Sequence, residues 1–97
     1  MSYTPGPWFV PERTGTQYVE ARIGGGWLQE VAACGPTEKP EEQRANARLI
    51  AAAPQLLEAL EHVAASLYYN DYGDPALLDS FDESIIDAAI RAAKGEA

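Results

Sequence analysis

The chain has 97 residues, enough for one domain with a modest core and too few for two. Its formal charge of -8 combines 15 carboxylates with seven Lys and Arg, and its one cysteine excludes an intrachain disulfide and a thiolate pair for zinc. No basic leader region opens it and no apolar run approaches the ~20 residues of a membrane span, so a reduced cytoplasmic setting is expected, without membrane contact.

Residues 1–7 are punctuated by proline and glycine and read as an extended lead-in to a β-region over 8–34. Trp8-Phe9-Val10 is a short strand candidate stopped by Pro11. Tyr18 to Ile23 alternates, with Val19, Ala21 and Ile23 on one face and Tyr18, Glu20 and Arg22 on the other, the period of a half-buried strand. Gly24-Gly25-Gly26 joins it to a second strand, Trp27 to Cys34, so 18–34 is expected to be a β-hairpin, with Trp8-Val10 as its edge neighbour. The triple glycine lacks the following helix and the Lys-Ser/Thr pair of a phosphate loop. Cys34 ends a strand with no basic neighbour and reads as a structural thiol. Trp8 and Trp27 are expected to pack beneath helices rather than to stack on bases.

A helical region follows over 40–94. Pro40, Glu41 and Glu42 suit a first helical turn, and the first helix is expected from Pro40 to Ala53, its apolar face formed by Ala45, Leu49, Ile50, Ala52 and Ala53. The second is expected from Pro54 to Tyr68, burying Leu56, Leu57, Leu60, Val63, Ala64 and Leu67. His62, the sole histidine, stands four residues after Glu58 and reads as a helix-face pair rather than a general base or ligand. Tyr69 to Pro75 is a loop by composition, and Pro75 to Leu78 a short turn. Ser80-Phe81-Asp82-Glu83 matches a capping box for a third helix from Phe81 to Lys94, with Phe81, Ile85, Ala88, Ala89 and Ala92 as its stripe, Ile86, Ile90 and Ala93 alongside, and Gly95 as its stop. The fold class expected is α+β: a two- to three-stranded antiparallel sheet with two to three helices on one face.

Thr4-Pro5-Gly6-Pro7-Trp8 and the run from Asn46 to Leu60, N-A-R-L-I-A-A-A-P-Q-L-L-E-A-L, resemble two blocks of a group of small phage and prophage accessory proteins. The resemblance covers roughly a third of the chain and implies a product acting in the cytoplasm of an infected bacterium. It implies no particular chemistry.

No enzymatic constellation emerges. Ser2, Ser66, Ser80 and Ser84 sit in no nucleophile elbow, and Asp71, Asp74, Asp79 and Asp82 do not follow calcium-loop spacing, so no catalytic, cofactor-binding or metal residue is assigned. Between Arg48 and Arg91 there is no Lys or Arg, yet there are eight carboxylates: Glu58, Glu61, Asp71, Asp74, Asp79, Asp82, Glu83 and Asp87. That half repels nucleic acid and attracts a basic protein surface. Three tyrosines fall within it, a residue type enriched at binding hot spots. The candidate partner-binding residues are therefore Tyr68, Tyr69, Asp71, Tyr72, Asp74, Asp79, Asp82 and Glu83. The expected function is a non-enzymatic inhibitor of a host or anti-phage defence component, anti-CRISPR-like or otherwise, presenting acid to a basic nucleic-acid-binding groove. The alternative is a nucleotide-sequestering protein acting as a homo-oligomer, with Arg13, Arg22 and the tryptophans as its site. Helices this rich in alanine also suit a homodimer.

Overall fold

In the computed structural model, which describes residues 3–12, 16–35 and 38–96, three strands form an antiparallel sheet in the order β1-β2-β3. They are β1 (Trp8–Phe9), β2 (Gln17–Ile23) and β3 (Trp27–Cys34). A turn of 3-10 helix at Gly24–Gly26 links β2 to β3, and Gly25 and Gly26 both take positive φ there, a conformation that costs glycine nothing. Val19 pairs with Ala32 and Glu20 with Glu30, so Val31 is the extra residue of a bulge.

Helix α1 (Pro40–Ala51) starts at a proline, as expected, and lies on β2 and β3. The core is small: Val19, Cys34 and Ala47 are buried together, with Trp8, Val10, Val31 and Ile50 half-buried around them. The structural reading of Cys34 thus agrees with its position. Gly35 (φ +97°) passes so close to the buried Gln43 of α1 that a Cβ there would run into the carboxamide. Trp8 packs as expected and donates its indole N–H to the Thr4 carbonyl at 3.0 Å. Trp27 does not: at the end of a hairpin that outruns α1, it is 72% exposed.

The helical run breaks one residue earlier than proline chemistry alone suggests. Ala52 takes φ -81°, ψ -5°, its N–H reaching the Arg48 carbonyl at 3.1 Å, and α2 (Ala53–Ser66) begins there with Pro54 in its first turn, where a missing N–H costs nothing. Gly6 of the lead-in rests on Pro54; a Cβ at Gly6 would approach its Cβ to 2.9 Å. The two segments that carry the family resemblance therefore pack against each other.

The end of α2 departs from the expectation. Ser66 Oγ donates to the His62 carbonyl at 2.7 Å, Leu67 turns extended, and β4 (Leu67–Tyr69) pairs antiparallel with β5 (Pro75–Leu77). A second small hairpin stands where a helix end, a loop and a turn were expected. Helix α3 (Ser84–Lys94) starts three residues after Phe81 and ends at Gly95, whose αL conformation lets Glu96 N–H reach the Arg91 carbonyl at 2.8 Å. Helix α3 packs against both α1 and α2, with Ala89 buried and Ile85, Ile86, Ala92 and Ala93 half-buried. The α+β class holds.

Candidate partner interface

The second hairpin is shaped by one side chain. Asn70 Oδ1 accepts from the N–H groups of Tyr72 and Asp74, both at 3.0 Å, while the backbone N–H of Asn70 donates to the Asp74 carbonyl and that of Gly73 to the Asn70 carbonyl, both at 2.9 Å. Gly73, at φ +80°, closes the turn. The carboxamide occupies the inside of the loop, so the side chains of Asp71, Tyr72 and Asp74 are left outside. Tyr72 is 90% exposed and Tyr69 70%, with Tyr68 less so and both carboxyl neighbours, Asp71 and Asp74, in solvent.

A second bend carries the remaining acids. Leu78 N–H donates to the Ser66 carbonyl at 2.8 Å and Phe81 N–H to the Leu78 carbonyl at 2.9 Å, so Asp79 and Ser80 form an exposed turn after β5. Asp82 and Glu83 follow at the start of α3, both exposed. The eight candidate residues thus follow one another along β4, the two turns on either side of β5 and the start of α3.

Two of the expected local devices are replaced. Ser80 and Glu83 do not close a capping box. Asp82 accepts from Ser84 instead, from Oγ at 2.6 Å and from the backbone N–H at 3.0 Å. These bonds, the side-chain one first, hold the Asp82 carboxyl below the usual carboxylate value against desolvation, with a smaller contribution from His62. His62 does not turn to Glu58. Its Nε2 accepts from the Asp82 N–H at 2.9 Å and its ring stacks on Phe81, centroids 5.2 Å apart, because the start of α3 lies directly over this part of α2. Asp82 therefore fastens α3 to α2 as well as adding charge. Asn70 and His62 were not among the candidates; the Asn-x-x-Gly spacing of a tight turn was the available signal for the first, while the second depends on a contact twenty residues away.

The groups expected to hold a nucleotide are distributed along β2 as far as they are described. Trp8 pairs with Ala21 on one side of β2 and Trp27 with Ile23 on the other, while Arg22 lies over the Phe9 ring, 5.4 Å from its centroid. Arg13 lies outside the described residues. Trp8 instead lines an open cleft of about 280 Å³ with Arg48, Gln55 and Ala92. Arg48 crosses Gly95 at the carbonyl end of α3, where a cation is favoured, and Arg91 and Lys94 occupy the same last turn. Helix α3, about 16 Å long, so separates an acidic end from a basic one. Among the described residues no three His, Cys, Asp or Glu side chains gather to hold a metal, and no helix is long and apolar enough to cross a membrane.

These features define a small α+β protein with a charged, tyrosine-bearing protrusion. Over residues 1–97 the chain matches the family described as Salmonella phage P22 protein Y8K6, and it belongs to that family. Comparison with curated proteins and with solved structures returned no match to either.

Proposed function

We propose that the chain is a non-enzymatic phage binding protein that inhibits a host or anti-phage defence component by laying its acidic hairpin into a basic nucleic-acid-binding groove. The observation that carries this reading is the Asn70-clasped loop. It holds Tyr72 in solvent between Asp71 and Asp74, with the exposed Tyr69 just before the loop, two aromatic anchors beside the charge a basic groove attracts. An apolar ring left so exposed gains most from burial against a partner, and carboxylates around it raise the rate of encounter. Membership of a phage family supports the setting in which such an inhibitor acts.

The test is capture of bacterial host proteins by the tagged chain across a salt series. Asp71→Asn/Asp74→Asn/Asp79→Asn is the matched variant, Asp82 being left intact because it anchors α3. A partner retained at low salt, released as salt rises and missed by the variant is the expected result. Equal capture by both proteins at all salt concentrations would sink the charge-driven reading.

A further inference from the structure

The apolar residues of α2 form two rows, and only one is used within the chain. Leu56, Ala59, Val63 and Ser66 are buried or half-buried against the rest of the fold. Ala53, Leu57, Leu60 and Ala64 form the other row, at alternating spacings of four, three and four residues, and all are exposed. Leu60 is 67% exposed, and Leu67 at 45% continues the row past the helix end. Alternation of four and three is the pattern of a helix seam that packs knobs into the holes of a partner helix. A monomer gains nothing from it.

The whole molecule carries the same mark. Its accessible surface is 7200 Å² for 10.5 kDa, against about 5,400 Å² for a folded monomer of that mass. Its radius of gyration is 16.8 Å, against about 12.5 Å for a compact chain of this length. The excess, about 1,800 Å² per chain, exceeds the roughly 800 Å² per partner of a standard interface and leaves ample surface for a homodimer.

We propose that the row Ala53, Leu57, Leu60 and Ala64 is the seam of a homodimer in which α2 packs antiparallel on α2 of a second copy. A second copy fits because the row is self-complementary about a two-fold axis between Glu58 and Ala59. Leu57 of each chain then meets Leu60 of the other, and Ala53 meets Ala64, alternating large and small layers that let the helices approach. In this register Glu61 faces Pro54 of the other copy rather than another carboxylate. The antiparallel sense also sends the two acidic hairpins, which follow the carboxyl ends of α2, to opposite ends of the dimer, and it opposes the helix dipoles. The seam itself carries no charge, while Glu58 and Glu61 border it. It uses none of the candidate partner-binding residues.

Sedimentation equilibrium of the full chain at tens of micromolar tests this. The expected result is twice the chain mass of 10.5 kDa, unchanged or tightened by added salt, which screens the repulsion between acidic copies. Leu60→Glu should weaken association by about 30-fold or more with an unaltered far-ultraviolet circular dichroism spectrum, since its side chain is mostly in solvent. Ala64→Glu gives the same answer if the first variant misfolds, and Trp27→Ser at the hairpin tip should remain dimeric. Wild-type protein at monomer mass, or dimers persisting in both glutamate variants, would overturn the proposal. Because a complex with a basic partner loosens with salt and the dimer does not, failure of the dimer is distinguishable from failure of the acidic-hairpin reading.

Discussion

His62 and Asp82 hold the start of α3, and Arg48 lies against its carboxyl end. Arg48 spans the carboxyl end of α3 at Gly95, His62 accepts the Asp82 N–H, and the Asp82 carboxylate holds Ser84 at the start of α3. The role of Asp82 depends on pH. Its folded pKa is depressed, so its contribution to stability is present above the ordinary value of 3.8 and is lost as pH falls through the lower folded value. Asp82→Ala should therefore melt a few degrees lower than wild type near neutral pH, and the two melting curves should converge as the medium is acidified past that range. A constant difference down to strongly acidic pH would assign the effect to something other than the ionised carboxylate. The His62 contact was not readable from the chain, because Glu58 offered a nearer partner at the right spacing, and Asp82 was passed over because Ser80 and Glu83 match a capping box. Local spacing names the partners a side chain has within its own helix; it is blind to the element laid across it.

Among the elements, the strands of the first sheet were legible, while the second hairpin and the end of α2 were not. Alternation in 18–23 and the triple glycine sufficed to place β2 and β3, but not their faces: Glu20 is buried beside Val19 and Ala21, while Ile23 is exposed. The run from Ala53 to Tyr68 shows the limit. Its leucines satisfy helical periodicity all the way to Leu67, and nothing in that period says which of two apolar rows is covered, or that Leu67-Tyr68-Tyr69 leaves the helix to pair with Pro75-Ala76-Leu77. Leucine and tyrosine serve a strand as readily as a helix, and Ser66, bonding back to the His62 carbonyl, ends the helix without glycine or proline. The candidate residues were legible as composition, an acidic tyrosine-rich stretch; their presentation depends on the Asn70 clasp. Asn70→Ala removes two hydrogen bonds, each worth about 1 kcal/mol. Amide exchange at Tyr72 and Asp74 should quicken about tenfold or more while α1 and β2 keep their protection. Unchanged exchange in the loop would show that the turn is held by its backbone bonds and Gly73 alone.

At the scale of the molecule, charge and shape divide the labour between the two ends of α3. The lead-in, β1 and the start of α2 pack together through Gly6, Trp8 and Pro54 and form scaffold, with Arg48, Arg91 and Lys94 gathered at the carboxyl end of α3. The amino end carries the acidic turns and the exposed tyrosines. Tyr72 offers the most direct test, because a side chain 90% exposed contributes little to the fold, so its replacement isolates recognition. Affinity of a captured host partner for wild-type chain and for Tyr72→Ser should differ by about tenfold or more, with identical melting temperatures. Equal affinity for the two proteins would contradict the assignment of the acidic, tyrosine-bearing hairpin as the surface through which this protein acts.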